Sequence, residues 1–343
     1  MKALVLEEYN RFVYKDVPEP EIAAHEVLIQ VKACGICGSD VHGMDGSSGR
    51  RIPPIIMGHE ASGIIVKKGR DVQHFSEGDR VTFDSTIYCG RCVYCRQGRM
   101  NLCDNRKVFG VSPGTYRRHG AFAEYVAVPE HILYQLPESL AFPHAAMVEP
   151  VSIAVHAVEL TPIALDDTAV VVGAGMIGIF VIQALRAAGC GKVIAVDIDQ
   201  NKLDFALTLG ADIGLRGDLV DVQAEVFQAT QGRGAQVALE VVGNAVAMNT
   251  AISSLRKGGH VTAVGNLAPT AAFPLQFVVT RQIAVQGSCA SCGEYPACLN
   301  MIADGKINVE ALISTLAPLS EGAAWFDRLY RNEAGLMKVI LEP

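Results

Sequence analysis

The sequence lacks a surplus of basic residues. Its 29 lysines and arginines stand against 36 acids, for a net charge of −7. That balance argues against a protein that grips nucleic acid through a broad basic surface, so no nucleic-acid partner is expected. Uninterrupted apolar runs near the ~20 residues of a membrane span are also missing. The most apolar stretch, residues 169–188, is broken by Gly173, Gly175, Gly178, Gln183 and Arg186. Those residues suit a buried strand and helix, and no membrane partner is expected. The apolar run at Ala3–Leu6 is too short for a signal peptide, and Glu7 and Glu8 follow at once. There is no internal repeat and no low-complexity tract. A cytoplasmic protein is the expectation, and its ten cysteines then read as thiols and metal ligands rather than disulfides.

What is present is a 343-residue chain, half of it hydrophobic, long enough for two domains with a large core. Residues 1–152 carry strand-like runs at 2–6, 26–32, 62–68, 80–83 and 122–128, punctuated by Gly, Pro and Asp, and predict a barrel-like, β-rich domain. From 153 to 291 strands alternate with helices: strands at 169–172, 193–197, 237–242, 260–264 and 283–286, helices at 177–188, 202–209 and 245–255. This pattern predicts a parallel sheet with helices on both faces. Residues 292–343, with two helical patterns and a strand at 337–341, are expected to return to the first domain.

Two local motifs stand out. Residues 169–178 run from a strand through Gly173-Ala-Gly175-Met-Ile177-Gly178 into a helix. The first glycine permits a tight turn, the second lets a pyrophosphate approach the backbone, and the third lets helix and strand pack closely. Asp197 ends the next strand, where its carboxylate would accept hydrogen bonds from the adenosine ribose and repel a 2′-phosphate. NAD rather than NADP is therefore predicted, with Lys202 also within reach of the ribose. A flavodoxin-like turn without a nucleotide is the alternative. The second motif is Cys89, Cys92, Cys95 and Cys103, a C-x2-C-x2-C-x7-C run inside a lobe at 86–105. Its short spacers, with Gly90 and Gly98 for the turns, predict a closed structural zinc site; an iron–sulfur cluster is also held by four thiolates.

A third stretch offers chemistry. Cys37, His59 and Glu60 supply a thiolate, an imidazole and a carboxylate, all of which bind zinc, and Ser39 and His42 sit where protons could move. Glu60 could instead orient His59, and His42 could be an ordinary surface histidine.

Taken in order, Gly35-Ile-Cys37-Gly-Ser39-Asp40, Gly58-His59-Glu60, the cysteine lobe, Gly120-Ala-Phe-Ala-Glu-Tyr125, Val148-Glu149-Pro150 and the glycine fingerprint resemble the zinc-dependent medium-chain dehydrogenases of the alcohol dehydrogenase superfamily. The resemblance covers essentially the whole chain and looks most like the sorbitol-type polyol and sugar-alcohol branch, because the ethanol-oxidising branch places a cysteine near Glu149. It implies an α/β two-domain fold: a GroES-like catalytic domain, and a Rossmann cofactor domain with a doubly wound parallel sheet. Cys37, His59, Glu60 and Glu149 would be ligands of catalytic zinc, Glu149 directly or through water, although Glu149 could simply begin a helix. Ser39 and His42 would relay the alcohol proton. Ile177, Val264 and Ser288 join Gly173, Gly175, Gly178, Asp197 and Lys202 as cofactor-site candidates. The nicotinamide would enter a cleft between domains, and a homodimer or homotetramer is expected, with strand 283–286 available for pairing.

The chain also departs from that pattern. Gly43 stands where the sorbitol branch often has an aromatic residue, and Ala290-Ser291 where it often has Arg-Tyr. Sorbitol itself is therefore not the favoured substrate; a sugar phosphate, a sugar acid or a cyclitol fits better. Arg50, Arg51, Arg117 and Arg118 could meet an anionic group or be solvated surface charges. An L-threonine 3-dehydrogenase-like activity and a non-catalytic zinc and nucleotide sensor are the rival readings. Cys34, Cys289, Cys292, Cys298, His144 and His156 are assigned packing or surface roles.

Overall fold

The computed structural model describes residues 1–112 and 116–343. The chain divides into two compact units, one of Met1–Glu149, Tyr295–Gly305 and Val309–Pro343, the other of Pro150–Glu294 and Lys306–Asn308.

The first unit is built around the strand Glu26–Gly35, whose sequence EVLIQVKACG is buried almost without interruption. A strand covered on both faces reads as a continuous apolar run rather than an alternating one. The strand Glu60–Lys68 pairs with it antiparallel, setting Gly35 opposite Glu60 and Cys34 opposite Ala61. The C-terminal strand Lys338–Glu342 also pairs antiparallel with it, with Ile340 opposite Gly35 and Leu341 opposite Cys34. Three strands thus meet beside the turn at Ile36-Cys37. Among the described residues the sheet continues through Arg80–Phe83 and Leu133–Gln135 at one edge and Ile313–Pro318 at the other, while Tyr125–Pro129 pairs with the first part of Glu26–Gly35. A smaller sheet joins Lys2–Glu8 to Arg11–Asp16 and Ile55–Ile56. The helix Gly322–Tyr330 seats Phe326 against Phe12 and Phe122, at centroid distances of 4.3 and 5.7 Å. Phe122 and Phe326 are fully buried and Phe12 partly; a fully buried side chain of this size contributes roughly 1.5–3 kcal/mol through apolar burial.

The expected strands of this unit are present, with ends moved by a few residues. The strand Ile313–Pro318 was not foreseen. Only Ala317 in it is buried and Leu316 is exposed, so its sequence carries little of the apolar pattern on which a strand is recognised.

The second unit is a parallel sheet in the order Ile213–Arg216, Lys192–Asp197, Thr168–Val172, Ala235–Glu240, Leu255–Ala263, Ala284–Gly287. The order reverses at Thr168–Val172, the first strand of the unit, which is where doubly wound sheets bind ligands. Helices start on side-chain caps where the sequence supplies them: Asp199 accepts from Asn201 N–H, Asp221 from Ala224 N–H and Asn244 from Ala247 N–H.

Candidate active site and cofactor cradle

Cys37 caps the one-turn helix Gly38–Val41, its sulfur accepting from the Ser39 N–H at 3.4 Å and the Ser39 hydroxyl at 3.2 Å. The pairing of Gly35 with Glu60 brings His59 and Glu60 to the same place. The ligand atoms of Cys37, His59 and Glu60 all lie within 4.8 Å of one another. Gly35 is required for this approach, because a Cβ there would stand 2.2 Å from Glu60 Oε2. His59 and Glu60 are buried, whereas Cys37 is only half-buried, so the cluster is open on the cysteine side. Ser39 and His42 are exposed there.

Each acid of the cluster has a basic partner that the sequence reading missed. Glu60 Oε2 accepts from Lys338 Nζ at 2.6 Å, and both side chains are completely buried. Lys338 also donates to the Ile36 carbonyl at 3.0 Å. Asp40, wholly buried, accepts from Arg51 Nη2 at 2.8 Å and lies 3.4 Å from His59 Nδ1. Burial pushes the Asp40 carboxyl up, but His59 and Arg51 beside it outweigh that and hold it well below the usual carboxylate range. For His59, burial opposes a charge while Asp40 and Cys37 favour one and win. The field at this point therefore attracts a cation.

The donor set fits zinc. Glu60 Oε1 is buried without a hydrogen-bond partner, which is costly unless something else satisfies it. Thiolate, imidazole and carboxylate suit a borderline-soft ion of that kind. Glu149, in the first turn of the helix Val148–Glu159, lies outside the group of mutually close ligand atoms but near enough to feel it. Burial pushes its carboxyl up to about 7, with His59 opposing and Glu60 adding to the rise, and the Ser85 hydroxyl donates to it at 3.1 Å.

A further expectation changes with the geometry. Arg51 and Arg118 are not solvated charges: Arg51 is 4% exposed and bound to Asp40, and Arg118 donates to Glu26 at 2.7 Å. His156 is buried and lies 2.6 Å from Glu294, a structural pairing. Arg50 and Arg117 remain exposed.

The four cysteines of the lobe also converge, their sulfurs within 4.8 Å of one another. Cys103 Sγ accepts from the Cys89 and Asn105 N–H groups, both at 3.3 Å.

In the second unit Gly173 follows the strand Thr168–Val172 with φ +103°, a conformation that side chains other than glycine rarely adopt. A Cβ at Gly178 would lie 1.9 Å from the Gly173 carbonyl, whereas one at Gly175 would meet nothing within 4 Å. The turn is thus packed on one side and open on the other, with the helix Met176–Ala187 starting at Gly175 and including Ile177. Asp197 is joined to that turn: Oδ2 accepts from Ala174 N–H at 2.7 Å, and Oδ1 from Ile198 and Asp199 N–H at 2.8 and 3.0 Å. Val264 and Ser288 follow the carboxyl ends of neighbouring strands, and the Ser288 hydroxyl is buried without a partner. These residues fit a dinucleotide. Lys202 is on the exposed side of the helix Gln200–Thr208. Glu240, unforeseen, holds the loop after its strand by accepting from Val242 and Gly243 N–H at 2.8 and 2.7 Å.

Comparison with known proteins agrees with this architecture. The family model for the alcohol dehydrogenase GroES-like domain matches residues 23–138, and that for zinc-binding dehydrogenases matches 177–304. The chain is 32% identical over 348 residues to a sorbitol dehydrogenase of Bacillus subtilis, covering 100% of this chain and 97% of the other. It is 34% identical over 333 residues to D-xylulose reductase A of Aspergillus oryzae, covering 94% and 92%. The solved structure of an alcohol dehydrogenase from Thermus sp. ATN1 superposes with a TM-score of 0.94 at 31% identity, over 100% of this chain and 99% of that one. With matches to both domains and relatives along its full length, the chain belongs to the zinc-binding alcohol dehydrogenase family and is a polyol dehydrogenase-like member of it.

Proposed function

We propose that the chain oxidises a secondary alcohol of a polyol or sugar derivative to the ketone, with NAD as acceptor. The observation that carries this reading is the convergence of Cys37, His59 and Glu60 on one point, half open to solvent. When bound, zinc supplies a Lewis acid that makes an alcohol acidic near neutral pH, and NAD supplies the hydride acceptor. Cys37, His59 and Glu60 would hold the catalytic ion, with Glu149 nearby as a further ligand or as the acceptor of a bridging water. Ser39 takes the alcohol proton and exposed His42 passes it to solvent. Lys338 keeps one oxygen of Glu60 occupied and leaves the other for the ion. Cys89, Cys92, Cys95 and Cys103 would hold the structural zinc. The glycine turn would hold the pyrophosphate and Asp197 the adenosine ribose, and Val264 and Ser288 would serve the same cofactor.

Arg51 and Arg118 are committed to internal acids, so Arg50 and Arg117 are the arginines left for a phosphate or sugar-acid carboxylate. The strand Ala284–Gly287 is an exposed sheet edge, which supports a homo-oligomer formed by strand pairing. Cysteine usage supports a reducing, cytoplasmic setting.

The test is NADH formation across polyols, sugar phosphates, aldonic acids and L-threonine, before and after zinc chelation. Chelator-sensitive turnover on the sugar-derived classes is expected. Turnover confined to L-threonine would replace the substrate class, and silence with zinc and NAD both bound would sink the reading.

A further inference from the structure

Arg51 is spent in a way that the reading above does not use. Its side chain is 5% exposed. One nitrogen, Nη2, donates both to Asp40 Oδ1 at 2.8 Å and to the hydroxyl oxygen of Ser39 at 3.1 Å. That hydroxyl in turn donates to Cys37 Sγ at 3.2 Å. Gly43 makes room for the arginine: a Cβ there would stand 2.9 Å from Arg51 Cδ and 3.2 Å from Cγ, and 3.0 Å from the Ser39 carbonyl oxygen. Gly43 is buried and is not among the glycines with positive φ. Space, not backbone conformation, is what it supplies.

A staple for the fold is the simpler account of a buried Arg–Asp pair. Two facts weigh against it. Buried ion pairs rarely add net stability over an apolar pair of the same size. Arg51 also leaves its Nε buried with no hydrogen-bond partner, a cost that a plain staple could avoid. The contact that distinguishes this arginine is the one to Ser39.

We propose that Arg51 is a positioning residue for the Ser39 hydroxyl, and that Gly43 is the position that admits it. The inference rests on reading Ser39 as the first acceptor of the alcohol proton. The guanidinium N–H occupies one lone pair of the Ser39 oxygen and turns the other toward the incoming alcohol. In the transfer the alcohol O–H bond breaks and a new O–H bond forms at Ser39 Oγ. The original Ser39 proton gives up its hydrogen bond to Cys37 Sγ and leaves by way of exposed His42 to solvent, so the serine is unchanged over a turnover. Without Arg51 the hydroxyl is held only by its own hydrogen bond to sulfur and can rotate about Cα–Cβ. A misplaced acceptor of this kind slows the step without weakening binding of the alcohol.

The experiment uses the full-length, zinc-loaded protein, with an alcohol that the wild type oxidises. Arg51→Met should lower kcat about 10- to 100-fold, with KM for the alcohol within about twofold and zinc content by atomic emission unchanged. Ser39→Ala should be slow by itself, and adding Arg51→Met to it should cost nothing further. Gly43→Ala, which crowds both Arg51 and the Ser39 carbonyl, should slow kcat like Arg51→Met, and its cost should shrink without vanishing beside Arg51→Ala. If Arg51→Met does not fold, Arg51→Lys, which keeps the charge but not the forked donor, carries the same test. Multiplicative losses in the double variant with Ser39→Ala, or a fall in zinc content and melting temperature with kcat per bound zinc unchanged, would make Arg51 a staple only and overturn the proposal. A wild type with zinc and NAD bound but no alcohol turnover removes the dehydrogenase reading itself, and this proposal with it. A working wild type with an unaffected Arg51→Met removes only the role of Arg51.

Discussion

The cysteine lobe and the Cys37 cluster are both groups of side chains that could hold a metal ion, in one unit, yet they are built in opposite ways. The lobe draws all its donors from Cys89 to Cys103, in a lobe where most residues are exposed or half-buried, and steadies its sulfurs with backbone N–H groups of neighbours in sequence. The cluster draws on Cys37, His59, Glu60 and Lys338, with Asp40, Arg51 and Glu149 around them, and buries most of these side chains. A local site can be closed by turn chemistry. A site assembled from distant strands in the core brings charges together in low dielectric, and each must then find a counter-charge. Glu60 with Lys338 and Asp40 with Arg51 are that requirement met twice.

The contrast breaks first at Lys338. In metal-depleted protein Lys338→Met leaves Glu60 buried without a cation and should destabilise the fold by about 3–5 kcal/mol, read from urea denaturation. Adding Glu60→Gln should recover most of the loss. If the single variant unfolds like the wild type, the buried pair is not what stabilises this junction. Between the two extremes lies the cofactor turn, with a local motif and one carboxylate from the next strand. Asp197→Ser should raise KM for NAD about 10- to 100-fold and shift the NADP-to-NAD ratio toward NADP. Unchanged coenzyme preference would remove Asp197 from the ribose site. The lobe should respond less in global stability: Cys103→Ser should release zinc and expose 86–105 to protease, yet move the urea midpoint less than Lys338→Met does. A larger midpoint shift would show that the lobe is not a local device.

How much of this was legible follows the same division. Cys89, Cys92, Cys95 and Cys103 are readable because spacing in sequence is spacing in space for so short a loop. Gly173 to Gly178 are readable because strand, turn and helix are consecutive. Cys37, His59 and Glu60 were placed together by resemblance, and strand pairing explains why. Lys338 was unreadable: it lies 278 residues from Glu60, and a single lysine in an apolar strand announces no partner. Arg51 was read as meeting an anionic group or lying in solvent, because nothing in the sequence ties it to Asp40, and the space it fills at Gly43 exists only in three dimensions.

The smallest effect, and the control for the others, is expected at Glu26, an acid of the same unit far in sequence from every metal-ligand candidate but Cys37. It accepts from Ala23 N–H at 3.0 Å and from Arg118 Nη2 at 2.7 Å. Burial raises its pKa, but these two contacts outweigh burial and hold the carboxyl below its ordinary value. A depressed folded pKa means that Glu26 stabilises the fold above the unfolded pKa of about 4.3, and that this contribution fades as pH falls through the lower folded value. Glu26→Gln should therefore cost roughly 1 kcal/mol at neutral pH, and the gap to the wild type should close on acidification below about pH 4. Urea titrations at several pH values check this, best done on metal-depleted protein so that zinc release does not intrude. A gap that stays constant with pH would assign the cost to packing rather than to charge. The sharper comparison is with Lys338→Met: the Glu60–Lys338 pair is sealed from solvent on both sides, whereas Arg118 is 28% exposed. Water can partly replace a lost Glu26 carboxylate beside Arg118, but it cannot reach Glu60, and the difference in cost between the two variants measures that access.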